Sequence, residues 1–305
     1  MGAVKRWRMK PFSELCVNPS PIRHLVFMVM TPSALTLFEG GVGMKQYNAI
    51  FISDVHMGTK HAQVDKLLTF LKETECRHLY IVGDLIDGWE LKRKWYWDDT
   101  HNLLVQKLLR KSRHHTNITY ITGNHDEFVE QFIGQNFGGV KIMKKTMHTG
   151  VHGKRYLVMH GHQFDGLVHC GRLLERIGSA AYQYVLSANT LFNKLRRRFG
   201  FGYWSLARFV KMNTKRAVKF ITDFEDGMVS MARAKKVDGI ICGHIHMPEI
   251  RKIDNMDYLN CGDWVEICTA LVEDLSGNMQ LIDWHEMETE ILAEKEAGQS
   301  VVKAA

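Results

Sequence analysis

The sequence predicts an α/β fold, and three observations carry that prediction. Five short apolar, β-branched runs recur along the chain: Ala49–Ser53, Leu79–Gly83, Ile118–Thr122, Tyr156–Met159 and Gly239–Cys242. Runs of this length without polar alternation suit strands buried on both faces. Amphipathic segments separate the early runs. Val64–Lys72 places Val64, Leu67, Leu68 and Leu71 at helical spacing, and Thr100–Lys111 does so with Leu103, Leu104 and Leu108. Strands alternating with helices predict a parallel sheet covered by helices. After Cys242 the pattern turns strand-rich, with Tyr258–Trp264, Ile267–Leu275 and Met279–Trp284. Ser276, Gly277 and Asn278 supply a turn between the last two, which predicts a hairpin.

The 305 residues are 45% hydrophobic and 24% charged, enough chain for one large domain or two ordinary ones. Five prolines and 25 glycines exclude collagen-like and most low-complexity classes. A net charge of +7 suits an anionic partner, without choosing among nucleic acid, a membrane surface and a phosphorylated metabolite. Six scattered cysteines with no CxxC pair predict reduced thiols in a cytoplasmic protein. The longest apolar run, Leu25–Phe38, is interrupted by Pro32 and falls short of the roughly 20 residues a spanning helix needs. Its basic flank resembles a signal peptide, but no clear cleavage site comes after it, which disfavours secretion. Met44 opens the first strand cleanly. Residues 1–43 therefore read as a disordered extension or as sequence upstream of the natural start.

Between Gly166 and Lys236 strand runs are missing and several helices are expected. From Arg176 to Thr222 there are ten basic residues, Arg196, Arg197 and Arg198 among them, and no Asp or Glu. Aromatic residues are interleaved with these cations. One reading is a solvated basic hairpin packed on the core. The other, favoured by the complete lack of acid, is a cap whose basic face meets phosphate or an anionic membrane.

The chemistry sits at the strand ends. Asp54 and His56 follow the first run, Asp84 the second, Asn124 and His125 the third, His160 and His162 the fourth, and His244 and His246 the fifth. Open α/β sheets bind ligands at the carboxyl ends of their strands, so these groups are expected to converge. Carboxylates, an amide oxygen and imidazoles form a borderline-hard donor set that suits Mn²⁺, Fe or Zn²⁺. There are more candidate ligands than one ion needs. Two ions sharing Asp84 would use them all, in the arrangement that serves in-line displacement at phosphorus.

The segments DVH (Asp54–His56), GDLID (Gly83–Asp87), GNHD (Gly123–Asp126), HGH (His160–His162) and GHIH (Gly243–His246) resemble the calcineurin-like metallophosphoesterase superfamily. The resemblance covers about Ala49 to Trp284. It implies a four-layer α/β/β/α sandwich over residues 44–290, with a helical cap inserted at about 166–236 and a flexible tail at 291–305. It implies two divalent ions, Mn²⁺ first among them, with Asp54, His56, Asp84 and His246 on one and Asp84, Asn124, His160 and His244 on the other. His125 would meet the substrate as the acid. Within the superfamily the chain is most similar to the bacterial UDP-2,3-diacylglucosamine hydrolases of lipid A synthesis. GDLIDGW with its Trp89, the helical insertion and the late NCGDW segment (Asn260–Trp264) support this. The best-known members carry Arg in place of His125 and Asp in place of His162, so the chain reads as a side branch.

The expected reaction is hydrolysis of a phosphoester or pyrophosphate bond, with metal-activated water attacking phosphorus. His162, Asp165, Trp89, Arg196, Arg197 and Arg198 are the candidate substrate contacts. Asp87 reads as a support for a ligand or as a helix N-cap, and Asp126 as an orienter of His125 or a cap. His61, His78, His101, His114, His115 and His169 read as surface. The expected partners are a nucleotide lipid or another phosphorylated small molecule and an anionic membrane surface, for a cytoplasmic enzyme peripheral to the inner membrane. Nucleic acid is disfavoured. A phosphoprotein phosphatase would show GDxVDRG and GNHE, whereas Gly88, Trp89 and Asp126 stand here. An enzyme acting on a soluble nucleotide or nucleic-acid phosphodiester shares the metal centre and is the alternative. A non-catalytic scaffold of the same fold is the rival of another class, disfavoured because every expected ligand is present.

Overall fold

The computed structural model describes residues 44–167 and 215–304, with a few positions between 192 and 204. Residues 1–43 and most of the expected cap lie outside the described residues. The first sheet has seven strands in the order β12-β11-β1-β2-β3-β5-β4. These are β1 (Lys45–Ile52), β2 (Thr74–Val82), β3 (Asn117–Ile121), β4 (Asn136–Phe137), β5 (Val140–Met143), β11 (Thr269–Glu273) and β12 (Met279–Asp283). The second sheet runs β6-β7-β8-β10-β9. Its strands are β6 (Lys145–Thr149), β7 (Arg155–Met159), β8 (Gly239–Cys242), β9 (Glu249–Ile253) and β10 (Met256–Asn260). The helices are α1 (Val64–Glu73), α2 (Gly88–Arg93), α3 (Asp99–Arg113), α4 (Lys215–Ala234) and α5 (Trp284–Ala304).

Three separate cores show that these elements stack in four layers. Alternate residues of β1 point to opposite faces, as a pleated strand requires. Ile50 and Ile52 pack with Leu67, Phe70 and Leu71 of α1, Leu104 and Leu108 of α3, and Trp284, Met287 and Ile291 of α5. Ala49 and Phe51 face the other way, into a core with Tyr80, Val82, Val158, Ile241, Leu259 and Leu271 from both sheets. Beyond the second sheet, Phe224, Met228 and Ala232 of α4 cover Leu157, Met159, Ile240 and Tyr258. The order of layers is helices, sheet, sheet and helix.

β1 and β2 begin well before their apolar runs. Lys45 pairs with Thr74 and Gln46 with Glu75, so each parallel neighbour extends the other through a polar stretch. The short strands β4, β5 and β6 and the edge strand β9 were not visible in the sequence pattern. The edge strands β4, β6 and β9 are largely exposed or half-buried, as at blunted sheet edges, and β5, between β3 and β4, has only four residues with Ile142 alone buried. The helix α5 continues through the residues read as a flexible tail, anchored at Trp284, Met287 and Ile291.

Parallel pairing aligns the chemistry. β1, β2 and β3 run parallel in the first sheet. β7, β8 and β10 run parallel in the second. Their carboxyl ends carry Asp54, Asp84, Asn124, His160 and His244 to one edge of the sandwich.

Candidate metal centre

The backbone leaves each strand abruptly. Asp54, His56, Asp84, His244 and His246 all have positive φ, between 52° and 72°, and make up half of the ten such non-glycine residues among the described ones. Left-handed backbone costs a residue with a Cβ about 1–3 kcal/mol and persists where the surroundings enforce it. Here hydrogen bonds enforce it. The amides of Val55 and His56 donate to the Asp84 carbonyl at 3.0 and 2.9 Å, and the Trp264 amide donates to the Asp54 carbonyl at 3.0 Å. Side chains lock the same loops. Asp84 Oδ1 accepts from the His125 amide at 2.9 Å, and Asp54 Oδ2 accepts from the His244 amide at 2.9 Å. Glycine is needed where these carboxylates approach the backbone. A Cβ on Gly123 would overlap Asp84 Oδ1, and one on Gly243 would lie 2.5 Å from Asp54 Oδ2.

Three groups of ligand-type atoms result: His56 with Asp87 and His125, and two others that share no residue with each other. Nitrogen and oxygen atoms of Asp54, His56 and His246 lie within 4.8 Å of one another, as do those of Asp84, His160 and His244. One carboxylate oxygen stands between these last two groups. Asp84 Oδ2 is 3.2 Å from His160 Nε2 and 3.8 Å from His56 Nε2. Asn124 joins the Asp84 group, its Oδ1 3.2 Å from His160 Nε2. His162 stands beside that group, its ring centroid 5.6 Å from that of His160 and 6.4 Å from that of His244.

The donors fit divalent cations. Buried His56 Nε2 has no hydrogen-bond partner and faces Asp54 Oδ1 and Asp84 Oδ2 at 3.9 and 3.8 Å. His160 donates from Nδ1 to the Val82 carbonyl at 2.8 Å, which leaves Nε2 facing inward. Burial alone would lower the His160 pKa, but Asp84 and Asp54 outweigh it and push the imidazole up to about 10. Burial likewise opposes the Asp84 carboxylate, yet His160, His125 and His56 hold it well below the usual carboxylate range. Without a cation, this site depends on protons for its positive charge.

Asp87 is both of the things the sequence allowed. Its Oδ1 accepts from the Glu90 amide at 2.9 Å and caps α2. Its Oδ2 lies 3.1 Å from His56 Nδ1 and 3.0 Å from His125 Nδ1. Burial would raise its pKa, but His125 and His56 beside it hold the carboxyl below its ordinary range. One carboxylate thus holds the ring of His56 by a hydrogen bond and stands close to that of His125, whose Nδ1 is off the hydrogen-bond line. The Trp89 ring covers His125, with centroids 4.1 Å apart, and Trp89 is itself 39% exposed at the rim.

Asp126 neither orients His125 nor caps the following turn. It accepts from the amides of Gly123 and Leu85 at 2.5 and 3.0 Å, and from the Tyr120 hydroxyl. Burial and the Asp84 charge push its carboxyl up to about 6. It ties the third strand-end loop to the second. His101, read as surface, is buried at 2% exposure. Its Nδ1 lies 2.6 Å from Asp98 Oδ1, and its Nε2 accepts from the Gly58 amide at 3.2 Å, just beyond His56. A sequence scan for ligand spacing passes over it, because its partners are a helix cap and a loop amide. Arg196 lies over the Phe192 ring at 5.7 Å and Arg198 is exposed. Arg197 and the Asp165 side chain lie outside the described residues.

A family model described as calcineurin-like phosphoesterase matches residues 47–248. A protein named UDP-2,3-diacylglucosamine hydrolase from Psychromonas ingrahamii is 24% identical over 209 residues, covering 65% of this chain and 80% of its own length. One of the same name from Neisseria meningitidis serogroup A is 26% identical over 228 residues, covering 71% of this chain and 89% of its own. Among solved structures, Yfce, a phosphoesterase from E. coli, aligns at 14% identity with a TM-score of 0.39, over 77% of this chain and 98% of its own. The strand-end motifs read from the sequence all fall inside the matched span, and the chain belongs to the calcineurin-like phosphoesterase family, a family of metal-dependent phosphoester hydrolases.

Proposed function

We propose that the enzyme uses two divalent metal ions to hydrolyse the pyrophosphate of a nucleotide-linked lipid resembling UDP-diacylglucosamine. The observation that carries the two-ion reading is Asp84 Oδ2, which stands between two ligand groups. Asp54, His56, Asp84 and His246 would hold one ion, and Asp84, Asn124, His160 and His244 the other. The donor set suits Mn²⁺, with Fe or Zn²⁺ as substitutes. When bound, the ions supply positive charge at the phosphoryl oxygens and make a water nucleophile available near neutral pH. The substrate reading is supported by the relatives' names, over 65–71% of this chain.

The chain's own residues do the rest. Asp87 faces His125 at Nδ1, which turns Nε2 toward the substrate side. From Nε2, His125 donates a proton to the leaving oxygen as the P–O bond breaks. Trp89 fixes the ring from the rim and keeps water off one face. The acid-free segment Arg176–Thr222 would lie against acyl chains and an anionic membrane surface, which makes the enzyme peripheral and cytoplasmic. Among the described residues, no helix is long and apolar enough to cross a membrane.

The test pairs metal counting with substrate. Two Mn²⁺ per chain, release of UMP from UDP-diacylglucosamine, and an Asp84→Ala protein holding one ion or none are expected. Wild-type stoichiometry in Asp84→Ala would refute the shared carboxylate. Cleavage of a generic phosphodiester with UDP-diacylglucosamine left intact would move the substrate to a soluble nucleotide.

A further inference from the structure

The ligand-type histidines are not held alike. His56 and His160 each place Nδ1 against an acceptor, Asp87 Oδ2 at 3.1 Å and the Val82 carbonyl at 2.8 Å, so Nε2 faces inward. His246 has its Nε2 3.2 Å from Asp54 Oδ1 and its Nδ1 3.8 Å from Asp263 Oδ2. Asp263 is fully buried, at 0% exposure. Its Oδ1 accepts from the amides of Val265, Glu266 and Ile267 at 2.8, 2.5 and 3.3 Å. Its Oδ2 is buried without a hydrogen-bond partner. A buried carboxylate oxygen lacking a donor is costly, so its retention calls for a donor in the working state.

We propose that Asp263 is the positioning residue for His246: it accepts a hydrogen bond from Nδ1 of that ring and so sets the affinity of the ion held by Asp54, His56 and His246. The inference rests on the two-ion reading. A neutral imidazole carries one proton, on one nitrogen or the other. Nε2 faces Asp54 Oδ1 at 3.2 Å, and that buried oxygen makes no hydrogen bond. Ligation through Nε2 needs the lone pair there, which places the proton on Nδ1. The nearby acceptor is Asp263 Oδ2, less than an ångström beyond ordinary hydrogen-bond distance of about 3 Å.

The carboxylate is the fixed partner, so the ring must come to it. Three amides hold Oδ1. The turn is bound on both sides by Ser53 Oγ donating to the Gly262 carbonyl at 2.8 Å and by the Thr269 amide donating to the Asp263 carbonyl at 3.1 Å. The adjacent Trp264 amide holds the Asp54 carbonyl at 3.0 Å, so the turn that carries Asp263 also positions the facing ligand. The fold accounts for its arrival. Asp263 lies just past β10, which is parallel to β8, so this strand end also delivers a carboxylate to the metal edge.

The test titrates Zn²⁺ into chelator-treated protein and reads His246 by ¹⁵N NMR, its signals assigned by their loss in His246→Asn. Zinc-loaded wild type is expected to carry the His246 proton on Nδ1. Asp263→Asn keeps an acceptor for the three amides but faces Nδ1 with a donor. It should weaken one of the two zinc sites by about 10–100-fold and leave the other unchanged. Wild-type affinity at both sites in a folded Asp263→Asn protein overturns the proposal. So does a zinc-loaded wild type with its His246 proton on Nε2, a measurement that stands if the variant does not fold. Wild-type protein that takes up a single Zn²⁺ or none would instead overturn the two-ion reading.

Discussion

His125 and His56 show how little separates the proposed proton donor from a proposed ligand at this site. Both His56 and His125 present Nδ1 to the same oxygen of Asp87, at 3.1 and 3.0 Å. The surroundings of the two rings differ, because the His56 Nε2 faces two carboxylates and the His125 side chain keeps 20% of its surface exposed. His125→Ala is therefore expected to keep its metal and lose roughly 10²–10⁴-fold in turnover, the span of a general acid. Metal content and kcat measured on one preparation check this. Metal loss, with activity restored by excess Mn²⁺, would make His125 a ligand. The candidate ligands were legible in the sequence because each comes directly after an apolar run. Asp263 comes after such a run too, Tyr258–Asn260, but Cys261 and Gly262 intervene and the segment reads as one long strand through Trp264. Asp87 was legible only as a pair of options, since one carboxylate can cap a helix with one oxygen and face two imidazoles with the other.

At the scale of elements, the loops after the strands are the working parts, and their glycines act through close approach. Gly123 admits the Asp84 carboxylate to the third loop, where Oδ1 accepts from the His125 amide at 2.9 Å. Gly123→Ala forces either the loop or Asp84 to move. Metal affinity should fall at both sites at once, because Asp84 faces both, while the sheets beneath keep their far-ultraviolet spectrum. Unchanged metal binding would show that the loop relaxes freely. The buried strands were legible because both faces are apolar, and the edge strands β4, β6 and β9 and the four-residue β5 were not, because pairing with a neighbour rather than pattern defines them. For the cap, the acid-free run still makes a test. Replacing Arg196, Arg197 and Arg198 with Ser should weaken binding to anionic vesicles by up to about 3 kcal/mol, at ~1 kcal/mol for each cation near the surface. Salt should weaken the wild type more than the variant. Hydrolysis of a small soluble phosphodiester should barely change. Intact vesicle binding together with lost small-substrate activity would place these residues in the catalytic pocket.

At the scale of the molecule, the two sheets must hold register for ligands from both to meet, and one buried acid ties them. Glu273 of β11, at 1% exposure, accepts from Asn48 Nδ2 of β1 at 2.5 Å, from His148 of β6 at 2.9 Å and from the Val151 amide at 2.8 Å. The Tyr80 hydroxyl of β2 lies 3.2 Å from the other nitrogen of His148, so strands of both layers meet in one network. Burial would raise the Glu273 pKa, but the hydrogen bonds from His148, Asn48 and the Val151 amide outweigh it and hold the carboxyl below its ordinary value. A depressed carboxyl contributes stability that is fully present above the ordinary glutamate pKa of about 4.3 and is lost as pH falls through the lower folded value. Glu273→Gln keeps one acceptor oxygen and turns an amide donor toward groups that themselves donate. It should cost about 1–3 kcal/mol near neutral pH, the usual penalty for a buried polar group left without its partner. Because the glutamine cannot titrate, the gap between wild type and variant should shrink as the solution is acidified below about pH 4.3. Urea unfolding of both proteins in chelator, at neutral and acidic pH, reads that gap directly, and chelation removes the metal contribution from both. A gap that widens on acidification would mean that Glu273 is protonated in the folded protein near neutral pH, and a constant gap that folding does not depress its pKa; either would overturn the charged tie between the sheets.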